Sequence, residues 1–151
     1  MDQFSKVIRS KIMSRIRSKN TAPEVCIRHI LHNMGLRYRL HVKKLPGKPD
    51  LFFKKYKAII FYNGCFWHGH SCKQSHIPKT NREYWYNKIS KNKLRDQENI
   101  QRLLELNFRV LVIWGCTHRG KGKAILNDLA KQAYNWIKSN ERYKELPFIL
   151  S

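Results

Sequence analysis

Cys65, His68, His70 and Cys72 crowd into the stretch FYNGCFWHGHSC, residues 61–72, and share it with two bulky aromatics, Phe66 and Trp67. Thiolates and imidazoles are the donors that zinc prefers. Cys65-x4-His70-x-Cys72 offers three of them from one loop, and Cys116 stands just past the apolar run FRVLVIW. If the strand formed by that run lies beside the one ending at Tyr62, the four groups converge as a Cys3His set. Such a tetrahedral set is structural, because it keeps no position open for substrate. The spacing is not that of a standard zinc finger, and His68, His76 and His118 also compete for the imidazole place. His70 has the strongest claim because it lies between two of the thiols. Cysteines beside histidines in a chain with no visible secretory leader read as metal ligands rather than disulfides. Cys26, inside a helical pattern, reads as a small buried hydrophobe.

A second chemistry is written at Lys48-Pro49-Asp50. Proline before an acid at the start of a strand fixes the backbone and aims the carboxylate outward. A carboxylate near a free main-chain carbonyl at a strand end suits Mg²⁺, which takes a few hard oxygens and keeps its water. His68 would then stand close enough to remove a proton from that water. The plainer alternatives are an ordinary turn aspartate and a loop histidine with no catalytic part.

The elements that must position these groups follow from the patterning. Thr21-Ala-Pro-Glu24 has the form of a capping box with proline in the first turn, and the apolar spacing after it gives a helix stopped by Gly35. LRYRLHVK, residues 36–43, alternates as a half-exposed strand. PGKPD turns into Leu51-Phe52-Phe53, and Ala58 to Tyr62 is apolar enough for a buried central strand. Thr80-Asn-Arg-Glu83 is a second capping box, opening a basic helical region to about Leu106 whose polar middle, SKNKLRDQEN, suggests a kink or break. Phe108 to Trp114 is another buried strand, and residues 122–138 form an amphipathic helix. The order α-β-β-β-α-β-α predicts an α/β fold, a mixed sheet flanked by helices.

Bulk properties bound the partners. At 151 residues and 42% hydrophobic, the chain suits one domain with a packed core. Its formal charge of +21 attracts polyanions, which favours nucleic acid over a membrane surface. No apolar run reaches bilayer length and the N-terminus lacks a signal-like apolar core, so a cytoplasmic location without membrane contact is the expectation. Residues 1–20 hold six Lys and Arg against one acid and read as a basic DNA-binding arm or, on composition alone, a solvated tail, with 21–151 as a single domain.

RSKIMSRIRSKNTAPE, RYRLHVKKLPGKPDL, GCFWHGHSC, KISKNKLRD and RVLVIWGC occur in the order found in the Vsr family, the very short patch repair endonucleases, and the resemblance runs from about Ser10 to Gly120. It implies a PD-(D/E)xK nuclease fold with an αβββαβ core and a Mg²⁺-dependent nick 5′ of thymine in a T:G mismatch left by deaminated 5-methylcytosine, leaving a 5′-phosphate and a 3′-hydroxyl. It further implies that Asp50 and the main-chain carbonyl of Tyr62 hold Mg²⁺, that His68 is the general base, and that Glu24 supports the site. Structural Zn²⁺ would sit on Cys65, His70, Cys72 and Cys116. Phe66 and Trp67 would be wedges between base pairs, Met13 would enter from the arm, and Lys88 and Asn92 would face the mismatched bases. Partners implied are mismatched double-stranded DNA, mismatch-repair proteins and a cognate cytosine-5 methyltransferase system, with a monomer in the bacterial nucleoid.

The chain departs from the family at Tyr62-Asn63, where a histidine commonly precedes GCFWH, and at Gly115, where an acid often precedes the cysteine. Asn63 cannot carry a proton but can donate a hydrogen bond to phosphate. A same-fold restriction-type endonuclease with another target, and a zinc-braced DNA-binding protein weakened in catalysis, are the competing expectations.

Overall fold

The computed structural model describes residues 21–72 and 75–147, so the N-terminal arm and Met13 lie outside the described residues. Helix α1 (Ala22–Asn33) leads to strands β1 (Arg39–Leu40), β2 (Leu51–Phe53) and β3 (Ala58–Asn63). Helix α2 (Arg82–Glu105), strand β4 (Arg109–Trp114), helix α3 (Ala124–Lys138) and strand β5 (Tyr143–Leu146) follow. The strands form one mixed sheet in the order β1-β2-β3-β4-β5. The pairs β1/β2 and β2/β3 are antiparallel, and β3/β4 and β4/β5 are parallel.

The central strands are apolar throughout because helices cover both of their faces. Ala58 and Ile60 of β3, with Leu111 and Ile113 of β4, pack under α1 and α3. Ile59, Phe61, Val110, Val112 and Trp114 point the other way, against Leu103, Ile100 and Leu104 of α2. Arg109 ties α3 to the sheet: its guanidinium donates to the Ile137 carbonyl at 2.7 Å and the Trp136 carbonyl at 3.1 Å, near the helix C-terminus, and lies over the Trp136 ring. A cation there meets unpaired carbonyls and the negative end of the helix dipole.

Three sequence expectations change in physical detail. The alternating run 36–43 yields only two ladder residues, because His41 takes a left-handed φ of 47° and turns the chain out of the strand. Helix α2 runs unbroken for 24 residues, about 36 Å at 1.5 Å per residue; its polar middle is one wall of a cleft rather than a break. Neither Thr21 nor the start of α2 makes a side-chain cap, and the α2 N-cap is Asn81 at φ 54°. Strand β5, YKEL, is an additional edge strand that its mixed sequence did not announce.

Candidate active site and metal centre

The parallel β3/β4 pair sets Asn63 opposite Trp114, so the loops leaving both strands start side by side. Cys65, His70, Cys72 and Cys116 meet there, with one ligand atom from each lying within 4.8 Å of the others. His70 Nδ1 is 3.5 Å from Cys116 Sγ, and the Cys116 amide donates to Cys65 Sγ at 3.3 Å. Zinc bonded to sulfur at about 2.3 Å and nitrogen at about 2.0–2.1 Å in a tetrahedron puts those two donors about 3.5 Å apart. The geometry and the soft donor set therefore fit a structural zinc site. The His70 ring stacks on Trp114, with centroids 4.2 Å apart and planes 10° from parallel, which fixes its orientation. Burial pushes the Cys65 thiol up to about 12 and raises Cys116 as well. Without metal these thiols stay protonated, and binding must expel the protons.

Gly69 makes the loop possible. Its φ is +64°, and a Cβ there would lie 2.5 Å from Lys93 Cδ and 2.8 Å from Ile89 Cγ2 on α2. The glycine lets the loop press against the helix, so that His70 turns toward the thiols while its neighbour His68 borders a cleft of about 350 Å³.

Asp50 leads into β2, and its Oδ2 accepts the Tyr62 amide at 2.7 Å. β2 pairs with β3 only as far as Ile60, so the Tyr62 backbone extends past its partner strand. The amide and carbonyl of a strand residue face the same edge, which leaves the Tyr62 carbonyl on the Asp50 side. Glu24, from the first turn of α1, is only 3% exposed, and its Oε1 has no hydrogen-bond partner. His41 sits between the carboxylates, Nδ1 3.5 Å from Asp50 Oδ1 and Nε2 3.9 Å from Glu24 Oε1. Burial, reinforced by Glu24, pushes the Asp50 carboxyl up to about 7 against the opposing pull of the Tyr62 amide and His68. A buried carboxylate oxygen without a donor, beside a carboxyl raised this far, fits a cation site.

Across the cleft, His68 Nδ1 and Asp96 Oδ2 of α2 are 2.5 Å apart. With Nδ1 held by the carboxylate, Nε2 is the nitrogen left to accept a proton. Lys43 and Lys48 also line this cleft and give it a positive rim. Asp96 and His41 were missed by sequence reasoning. Asp96 is four residues beyond Asn92 and so shares its helix face, but only the fold brings that face to His68. His41 was read as one step in an alternating strand.

Phe66 and Trp67 are half-buried and pack edge-on to each other and against Trp85 of α2, with centroids 5.1–5.7 Å apart. The exposed Tyr84 extends this aromatic surface. Asn92 donates to the Trp67 carbonyl at 3.0 Å, which braces the aromatic loop on α2. Lys88 is exposed one turn away and lies near the Tyr84 ring. Asn63 is buried and borders both the cleft lined by Asp50 and His68 and a second, smaller cleft beside His70 and Trp114.

A family model described as "DNA mismatch endonuclease Vsr" matches residues 1–74. The chain is 44% identical over 137 residues to "Type II nicking enzyme V.NmeAIP" of Neisseria meningitidis, covering 91% of this chain and 96% of the relative. It is 40% identical over 136 residues to "DNA mismatch endonuclease Vsr" of Escherichia coli, covering 90% and 87%. It is 44% identical over 115 residues to "Type II nicking enzyme V.XorIIP" of Xanthomonas oryzae pv. oryzae, covering 76% and 85%. Among the described residues no helix is long and apolar enough to cross a membrane.

Proposed function

This chain belongs to the Vsr family of DNA endonucleases, and from that membership we propose that it nicks one strand of duplex DNA at a defined sequence, with a T:G mismatch as the selected feature. The observation that carries the catalytic assignment is a single cleft lined by half-buried Asp50 and by the His68–Asp96 pair, with the buried Glu24 carboxylate close to Asp50 outside the cleft lining.

Asp50 and the Tyr62 carbonyl would hold Mg²⁺, with Glu24 supporting the site. When bound, Mg²⁺ supplies Lewis-acid stabilisation of charge building on the scissile phosphate. His68 takes a proton from water through Nε2, while Asp96 holds the ring and steadies the imidazolium that forms. The water oxygen bonds to phosphorus as the bond to the 3′-oxygen breaks, giving a 5′-phosphate and a 3′-hydroxyl. Lys43 and Lys48 attract the backbone, and Asn63, which lines the same cleft, would donate to phosphate.

The zinc-braced loop carries Phe66 and Trp67 as wedges, joined by Met13 from the basic arm, with Lys88 and Asn92 on the side of the mismatched bases. Unstacking a step costs a few kcal/mol, least where pairing is already defective. In the DNA-free protein both aromatics rest on Trp85, so part of their apolar surface is already packed before DNA arrives. This lowers the ordering cost of the loop.

Relatives named nicking enzymes favour a second reading, a same-fold nuclease with another target. Nicking of T:G and fully paired C:G duplexes, across varied flanking sequences and with Mg²⁺, separates the two. Preference for T:G by an order of magnitude or more supports mismatch selection; equal cutting of paired and mismatched sites sinks it and leaves a sequence-directed nicking enzyme.

A further inference from the structure

Resting on the divalent-cation site proposed above, we propose that His41 is a third protein ligand of that site, which gives it a preference for a first-row transition ion such as Mn²⁺ over Mg²⁺. The His41 ring stands between Glu24 and Asp50, and one ligand atom from each of the three residues lies within 4.8 Å of the others. An octahedral ion with ligands at about 2.1 Å separates neighbouring donors by about 3.0 Å and opposite donors by about 4.2 Å. The 3.5 Å from His41 Nδ1 to Asp50 Oδ1 falls between those limits. The 3.9 Å approach to Glu24 Oε1 is made by the other ring nitrogen, Nε2, so the ring must turn to bring one nitrogen to an ion shared with both carboxylates.

Two further observations point the same way. Glu24 Oε1 is buried and has no hydrogen-bond partner. The His41 backbone is held in the left-handed region at φ 47° while its amide donates to the Asp50 carbonyl at 3.1 Å. Histidine visits that region more readily than most non-glycine residues, and the amide hydrogen bond holds it beside the carboxylate it faces. Carboxylate and carbonyl donors suit Mg²⁺ and Mn²⁺ alike, whereas an imidazole nitrogen adds affinity for transition ions. His41 thereby sets metal preference from the wall of the cleft.

The test uses the zinc-loaded full chain and Mn²⁺ followed by electron paramagnetic resonance, with Mg²⁺ affinity measured by competition. The wild type should bind one Mn²⁺ that shows nitrogen modulation from a coordinated imidazole. His41→Gln should lose that modulation and weaken Mn²⁺ binding on the order of tenfold, while Mg²⁺ affinity changes less than about threefold. His41→Asn, which tolerates the left-handed backbone, should behave the same way, and His68→Gln should keep the modulation. Modulation surviving in both His41 variants, or Mn²⁺ affinity equal to the wild type, would overturn the assignment. Asp50→Asn separates the two levels of inference. Loss of binding in Asp50→Asn with His41→Gln unaffected removes only His41, whereas binding that survives Asp50→Asn removes the cation site itself and His41 with it.

Discussion

Replacing Asp50 by asparagine should make the zinc-loaded, magnesium-free protein more stable while removing its ability to nick DNA. The Asp50 side chain is 16% exposed, and burial is the main reason its carboxyl moves from 3.8 to about 7. At about 1.4 kcal/mol per pH unit, ionising it inside the fold costs about 4 kcal/mol as a ceiling, and solvent relaxation brings the measurable part to about 2–4 kcal/mol. Asparagine keeps an oxygen for the Tyr62 amide, so the gain is not offset by a lost hydrogen bond. For a domain of this size about 2–4 °C accompanies each kcal/mol, so the melting temperature at pH 8 should rise by about 5–15 °C.

The pH dependence carries the same sign. Between pH 3.8 and about 7 the native state keeps a proton that the unfolded chain has released, so wild-type stability falls as pH rises through that window and levels off above it. Asp50→Asn should remove this slope. Added Mg²⁺ should raise the wild-type melting temperature above pH 7 and leave the variant unmoved. Thermal unfolding by circular dichroism at several pH values is the assay. A variant no more stable than wild type at pH 8, or one with the same pH slope, refutes the burial argument.

Other perturbations separate the two halves of the loop. Asp96→Asn should lower the nicking rate by about 10²-fold or more with little change in DNA affinity, read from single-turnover kinetics and a binding titration; an unchanged rate would detach Asp96 from His68 function. Zinc uptake by the metal-free protein at neutral pH should release close to three protons, because burial keeps Cys65 and Cys116 protonated beforehand; release near zero would mean thiolates already present or another ligand set. Cys72→Ala should lose zinc and melt at lower temperature, whereas full zinc content would exclude Cys72 as a ligand. Gly69→Ala should destabilise by about 1–3 kcal/mol and depress zinc retention and nicking together, since its Cβ meets Lys93 and Ile89; wild-type melting would show that the loop has room to move.

How much of this was legible before folding depends on what kind of signal each part leaves. The central strands announced themselves because burial on both faces demands continuous apolar residues, as in AIIFYN and RVLVIW. The thiols and His70 were legible because metal ligands are rare residue types, and the parallel pairing of β3 with β4 supplies the convergence that their spacing required. Strand β5 was hidden because an edge strand with one covered face can be written YKEL. The polar middle of α2 suggested a break because a helix that walls an aqueous cleft needs polar residues on its inner side too. The Glu24 capping box was legible as a helix start, yet its carboxylate turns into the core toward Asp50, where tertiary contacts outweigh a local cap. Asp96 and His41 left no local mark: one is an acid among charges and the other a histidine in an alternating run. Their roles exist only in the distances to His68 and to the carboxylates.

FYNGCFWHGHSC is therefore a strand end and loop with three neighbours: Cys116 beside its own thiols and His70, Trp85 beside its aromatics, and Asp96 beside His68. The most direct test of this account is conversion of supercoiled plasmid carrying a T:G mismatch to open circle by the zinc-loaded protein with Mg²⁺, with end analysis of the product. The expected result is a single nick bearing a 5′-phosphate from the wild type and none from His68→Ala, which still binds DNA. Nicking at the wild-type rate by His68→Ala, or none by the wild type with either Mg²⁺ or Mn²⁺, would contradict it.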